Sequence, residues 1–168
     1  MTNDRGAAPG VRIAWADEQD IAAIAPLILA LYAHDRPDAP RPAGEVAAGH
    51  AAQLIDAATP HRLAIAFDAT GEAVGLAAVA VFTSVSESRP DRRKQMELKE
   101  LFVAPAQRGR GIGAALMAWV EAKAVAAGVH RLDWHVRADN DRGIAFYQRL
   151  GGKVLDDRLS MRKLLSGD

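Results

Sequence analysis

Apolar residues recur along this chain in two rhythms, one helical and one of period two. Val11 to Trp15 alternates as a first strand does, and Asp17 with Asp20 three positions on gives the acidic start of a helix. Ile21, Ile24, Ile28, Leu31 and Tyr32 then fall on one helical face, with Pro26 expected to kink this helix or to mark a break near its first turn. His34 to Pro42 carries Pro37, Pro40 and Pro42 among mixed charges and reads as a loop, a candidate rim for a binding site. A second, weaker helix is predicted over 43–58, where Val46, His50 and Leu54 are spaced by four while Gly44 and Gly49 lower its propensity.

The pattern then changes to alternation. Leu63, Ile65 and Phe67 lead into the turn residues Asp68 to Glu72 and a second apolar run, Val74 to Phe82, which together predict a hairpin. Ser84 to Gln95 is a polar loop. Met96 to Val103 is the next strand. A helix over 111–127 buries Ile112, Ala115, Leu116, Trp119 and Val120, and Gly128 stops it. Arg131 to Val136 is a further strand, parallel to the one before because a helix crosses between them. Asn140 or Asp141 caps a short last helix carrying Ile144, Phe146, Tyr147 and Leu150, closed by Gly151 and Gly152. Lys153 to Leu165 predicts one or two terminal strands. Residues 1–9 are expected to be a disordered tail, and 10–168 one α/β domain.

Composition removes several function classes. A chain of 168 residues suits one domain with a real core. Lys plus Arg equals Asp plus Glu at 21 each, so no global field steers the chain to nucleic acid or to a membrane surface. Arg89, Arg92, Arg93 and Lys94 form a local basic run, which Glu87 and Asp91 dilute as an RNA patch. The absence of cysteine excludes disulfides, thiolate metal sites and a cysteine nucleophile. The five histidines show no i, i+4 pairing and no zinc spacing, so no metal is expected. No apolar run approaches a membrane span, and residues 1–10 hold no signal-peptide core; a soluble cytoplasmic protein is the expectation.

Chemistry concentrates between Met96 and Ala114. The strand is followed by Arg108-Gly109-Arg110-Gly111-Ile112-Gly113-Ala114 and a helix. Alternate glycines let a ligand approach the backbone, and the helix start offers unpaired N–H groups, so an anion such as a phosphate fits here. Gly109 to Ala114 also satisfies the dinucleotide fingerprint in form, with Asp133 twenty residues after Gly113. Its context is wrong for that fold: several residues including Pro105 separate Val103 from Gly109, the unit lies late in the chain, and a hairpin precedes it. A nucleotide P-loop fails because no Gly-Lys-Ser/Thr follows.

The run Arg108 to Gly113 resembles the Arg/Gln-x-x-Gly-x-Gly/Ala acetyl-CoA signature of the GNAT superfamily of N-acetyltransferases, preceded by its Leu-Phe-Val-x-Pro strand end. Asn140 and Ala145-Phe146-Tyr147-Gln148-Arg149-Leu150-Gly151 are similar to that superfamily's Asn and Phe-Tyr-x-x-Leu-Gly helix. The likeness extends over roughly 11–165. Within the superfamily, Leu98 to Val103 and Trp134 to Gly152 look most like the spermidine/spermine and thialysine branch, although Lys99 and Glu100 stand where those relatives carry two acids.

The resemblance implies a GNAT fold, an α/β arrangement with a mixed, mostly antiparallel sheet of six to seven strands and helices on both faces. It implies acetyl transfer from acetyl-CoA to a primary amine, without a metal. The acceptor would be a polyamine-like or amino-acid-like small molecule; a peptide or protein amine, or a non-catalytic acyl-CoA-binding module, is the alternative. A homodimer is the assembly expected. Coenzyme A pyrophosphate would lie on the backbone of Arg108, Gly109, Arg110, Gly111, Ile112, Gly113 and Ala114. Leu101, Phe102 and Val103 would hold the pantetheine arm where the strand splays from its parallel neighbour, with the N–H of Phe102 or Val103 facing the oxyanion. Asn140 would cap its helix and hydrogen-bond the arm or a water. Tyr147 matches the general acid to the leaving thiolate. An alkylamine with a pKa of about 10.4 is free base in only about one molecule in a thousand at neutral pH, so a base is needed. Glu100 and Glu97 are the candidates. Strict alternation puts them on opposite faces unless the strand is bulged.

Overall fold

A computed structural model of the chain describes residues 10–165, so the tail expected over 1–9 lies outside the described residues. The chain forms two compact units, one ending at His135 and the other beginning at Val136. In the first, the elements are β1 (Arg12–Trp15), α1 (Ile21–Asp35), α2 (Gly44–Ile55), β2 (His61–Phe67), β3 (Ala73–Thr83), β4 (Lys94–Val103), α3 (Ile112–Ala126) and β5 (Arg131–Trp134). The sheet runs β1-β2-β3-β4-β5. Neighbours are antiparallel as far as β4, and β4 with β5 is parallel, as the helical crossover requires.

Local chemistry explains the first helix. The Gln19 N–H donates to Asp17 Oδ1 at 2.9 Å and the Asp17 N–H to Asp20 Oδ2 at 3.0 Å, a reciprocal cap that opens the turn feeding α1. Pro26 does not break α1, which runs from Ile21 to Asp35 with that proline inside it. Its missing N–H costs one bond to the Ala22 carbonyl, and its ring stands exposed to solvent.

Helices cover both faces of the sheet. On one face Ile24, Leu27 and Ile28 of α1 and Ala47 and Ala51 of α2 share a core with Leu63, Ile65, Leu76, Ala78 and Phe102. On the other, α3 buries Ile112, Leu116 and Val120. Burial of each such aliphatic side chain is worth about 1.5–3 kcal/mol. At Gly75 of β3 a Cβ would lie 3.1 Å from Leu116 Cδ1 and 3.2 Å from Ile112 Cγ2. The start of α3 therefore sits so close on the sheet that a methyl at position 75 would make its side chains give by a few tenths of an ångström.

The described residues hold five strands, fewer than the six to seven expected. The difference lies in the second unit, where 153–165 forms no strand. Asp156, Asp157 and Arg158 interrupt the apolar alternation, and Val154, Leu159 and Met161 remain 65%, 93% and 93% exposed. No ladder satisfies that backbone or buries one face. The unit's helix, α4 (Asp141–Arg149), is capped by Asn140, whose Oδ1 accepts the Gly143 N–H at 2.9 Å. Gly143 is constrained by this cap, since a Cβ there would come within 2.5 Å of Asn140 Nδ2.

Candidate active site

β4 sets the geometry. It pairs with β5 from Gln95↔Arg131 to Leu98↔Trp134, where β5 ends, and runs on to Val103 with no further strand paired to it on that side among the described residues. The Ala104 N–H donates to the Val74 carbonyl at 3.0 Å, so antiparallel alternation directs the N–H groups of Leu101 and Val103 away from β3 and that of Phe102 toward it. Of the two amides considered for the oxyanion, Val103's is the one on the open side.

The strand is also bulged. Glu100 pairs with Ala78 and Leu98 with Val79, which leaves Lys99 without a partner. This extra residue reverses the parity of the strand beyond it. Glu97, opposite Ala80, and Glu100, opposite Ala78, therefore share the face covered by α1 and α2, which corrects the opposite faces expected from strict alternation.

Their surroundings differ. Glu97 Oε1 lies 2.9 Å from Lys99 Nζ and 3.5 Å from His135 Nδ1, with its side chain 26% exposed. Glu100 is half-buried and accepts the Leu101 N–H at 3.2 Å. Burial first, and then the negative charge of Asp35 at the end of α1, push the Glu100 carboxyl above the ordinary glutamate range, while the Leu101 N–H pulls the other way. The His34 ring lies 5.8 Å from that of Phe102, so the end of α1 covers this part of β4.

Past Val103 a short 3-10 turn at Pro105–Gln107 leads to the glycine loop. Gly109 (φ 78°) and Gly111 (φ 81°) are left-handed, a conformation that costs other residues about 1–2 kcal/mol. Gly111 is the cap residue of α3 and no side chain caps the helix. The Ala115 N–H bonds to the Gly111 carbonyl at 3.0 Å, so the N–H groups of Ile112, Gly113 and Ala114 precede the first intrahelical bond and are available to an anion. Neither arginine extends freely. Arg108 Nε donates to the Val103 carbonyl at 3.0 Å with its guanidinium over the Phe102 ring, and Arg110 pairs with Gln107. The donors left without a bond at this turn are thus backbone N–H groups, and Arg108 ties the turn to the end of β4.

The profile of the acetyltransferase (GNAT) family matches residues 27–152. The chain belongs to this family. A curated acetyltransferase of Sodalis glossinidius (strain morsitans) is 40% identical over 68 residues, 40% of this chain and 48% of that protein, so the match spans about half of that relative's length. An integron cassette protein from the mobile metagenome of V. cholerae superposes with a TM-score of 0.82 at 21% identity, covering 92% of this chain and 93% of that one. An aminoglycoside acetyltransferase from an uncultured soil metagenomic sample, in complex with sisomicin, gives 0.73 at 15% identity, covering 93% and 97%. The solved structures share the GNAT fold.

Within this GNAT chain, Glu97, Glu100, Leu101 to Val103 and Arg108 to Ala114 all lie in the first unit, on or directly after β4. Asn140 and Tyr147 belong to the second, where the Tyr147 ring meets the Phe146 ring edge-on at 5.1 Å and its carbonyl accepts the Gly152 N–H at 2.9 Å. Sequence reading did not single out Asp35 as the neighbour of Glu100. Its signal was only positional, directly after His34 at the edge of the proline-rich rim. Among the described residues no group of three or more His, Asp or Glu could hold a metal ion. No helix of the described residues is long and apolar enough to cross a membrane.

Proposed function

We propose that this chain transfers the acetyl group of acetyl-CoA to a primary amine of a small molecule, polyamine-like or amino-acid-like, by direct attack. The observation that carries the reading is the conjunction on β4 of an unpaired edge, a half-buried carboxylate at Glu100 and an uncapped glycine-rich helix start within a few residues. The loop backbone takes the pyrophosphate, and acetyl-CoA supplies the activated thioester. Glu100 accepts the ammonium proton through a water, which frees the nitrogen lone pair to attack the thioester carbon. The Val103 N–H donates to the oxygen on which charge develops. As the carbon–sulfur bond breaks, Tyr147 protonates the leaving thiolate, a role that rests on its motif match, and the second proton lost by nitrogen as the amide forms passes through solvent and restores the phenol. A thiol pKa near 8.5 against about 10 for tyrosine makes that donation an assistance, not a requirement.

A small, cationic acceptor is favoured because Glu100 and Asp35 stand together on or beside one face of β4. The fold relative named as an aminoglycoside acetyltransferase lends support for a small-molecule acceptor. The test is to incubate the protein with acetyl-CoA and a panel of diamines, amino acids and peptide N-termini while following free thiol. Acceptor-dependent release strongest with a diamine or amino acid is expected. Release with peptides alone would move the acceptor class, and none at all would leave a binding module.

A further inference from the structure

At the end of the sheet away from the glycine loop, a recess of about 450 Å³ opens between the last turns of α3 and the strands. Lys94, on its rim, begins β4, and Val103, next to the loop, ends it. At about 3.3 Å per residue the two are about 30 Å apart. The recess has an apolar floor at Val81, which is part-exposed, with Met96 and Val79 buried beneath it. Trp15 forms one wall and meets Trp119 edge to face, with ring centroids 4.8 Å apart.

Three cations surround this floor: Arg62, Lys94 and Lys123. Arg62 stacks its guanidinium 4.0 Å over the Trp15 ring, which uses its face and leaves its edge donors unspent. Lys123 Nζ stands 5.1 Å from the Trp119 ring centre. Lys94 gives one of its three donors to the Ala127 carbonyl, at 2.8 Å, at the end of α3. Among the described residues no carboxylate lies within ion-pair distance of any of the three. Converging like charges repel one another, and here only a helix C-terminus offsets one of them. Ring faces, an apolar floor and unspent cationic donors together complement a flat apolar body bearing one anionic group.

We propose that this recess is a second binding site, for a small aromatic carboxylate. The ring lies over Val81 against Trp15, and the carboxylate takes the edge of Arg62 and the ammonium of Lys123. The site stands apart from acetyl transfer and holds whether or not the amine reading does.

Titration calorimetry of the full chain with 1-naphthoate tests it, with 1-naphthylmethanol as the neutral isostere and inorganic phosphate as the charge without the ring. Saturable one-to-one binding of 1-naphthoate is expected, undiminished by saturating acetyl-CoA. Arg62→Gln and Lys123→Gln should each weaken it about tenfold, as loss of a charge-assisted hydrogen bond does. Both side chains are exposed, so both variants should fold, with circular dichroism as the check. The proposal is overturned by absent saturation, by equal affinity for the alcohol or for phosphate, by unchanged affinity in both variants, or by competition from acetyl-CoA.

Discussion

Glu97 and Glu100 face the same side of the sheet although they are three residues apart in one strand, because Lys99 between them has no partner on β3. Sharing a face does not make them equivalent. Glu97 is neutralised by Lys99, whereas Glu100 has no cation among its influences and is further disfavoured as an anion by Asp35. The carboxyl that its surroundings raise above the ordinary glutamate range is that of Glu100.

Glu100→Gln should lower kcat/KM about 100-fold, the loss typical of a general base, while Glu97→Gln should change it by no more than about threefold. In the wild type, the acidic limb of kcat/KM against pH should lie above the ordinary glutamate value of 4.5, because burial and Asp35 raise the carboxyl. That limb should vanish in Glu100→Gln. An unchanged limb in the variant would assign the base elsewhere.

The same carboxyl ties stability to pH. Glu100 binds its proton more tightly folded than unfolded, so its ionised form weighs against the fold. Unfolding free energy should fall as pH rises from the ordinary glutamate value through the raised one, relative to Glu100→Gln, which has no such charge. Thermal melts of both proteins between pH 4 and 8, about the span in which a raised carboxyl titrates, should show the difference move in favour of the variant as pH rises. A constant difference would mean that burial does not penalise the ion.

Gly111→Ala would force a side chain into a left-handed residue at the start of α3. The cost should be about 1–2 kcal/mol, shared between stability and the geometry of the anion cradle. Calorimetry with acetyl-CoA should register weaker binding, and equal affinity would argue that the loop backbone does not hold the pyrophosphate.

Gly75→Ala should destabilise the protein by about 1–3 kcal/mol, since the new methyl meets Leu116, Ile112 and the Phe102 carbonyl at 3.1–3.2 Å. Chemical denaturation measures this. A neutral effect would show that α3 can lift from the sheet without loss.

Tyr147→Phe should slow kcat about tenfold and leave the dissociation constant of acetyl-CoA unaltered, because a thiolate departs tolerably without a proton donor. Turnover equal to the wild type would remove Tyr147 from the reaction.

Much of this was legible in the residues themselves. Asp17 and Asp20 announced the acidic start ahead of the first helix, Ile24 and Ile28 its buried face, and Gly109 and Gly111 a glycine-rich turn before α3, since each depends on neighbours within a few positions. What escaped depends on partners distant in the chain. The bulge at Lys99 is visible only against the register of Ala78 and Val79, and Asp35 meets Glu100 only once α1 packs across β4. The strands expected over 153–165 failed for a related reason: apolar alternation there is real, but Asp156 to Arg158 interrupts it and no neighbouring strand is paired with it.

The zero net charge of the chain conceals a separation of charge within its first unit. Glu100 and Asp35 gather toward the glycine-loop end on the α1 and α2 side, while Arg62, Lys94 and Lys123 ring the α3 side at the opposite end. The two faces of β4 therefore present groups of opposite sign, carboxylates on the α1 and α2 side and ammonium and guanidinium groups on the α3 side, although the chain as a whole is neutral.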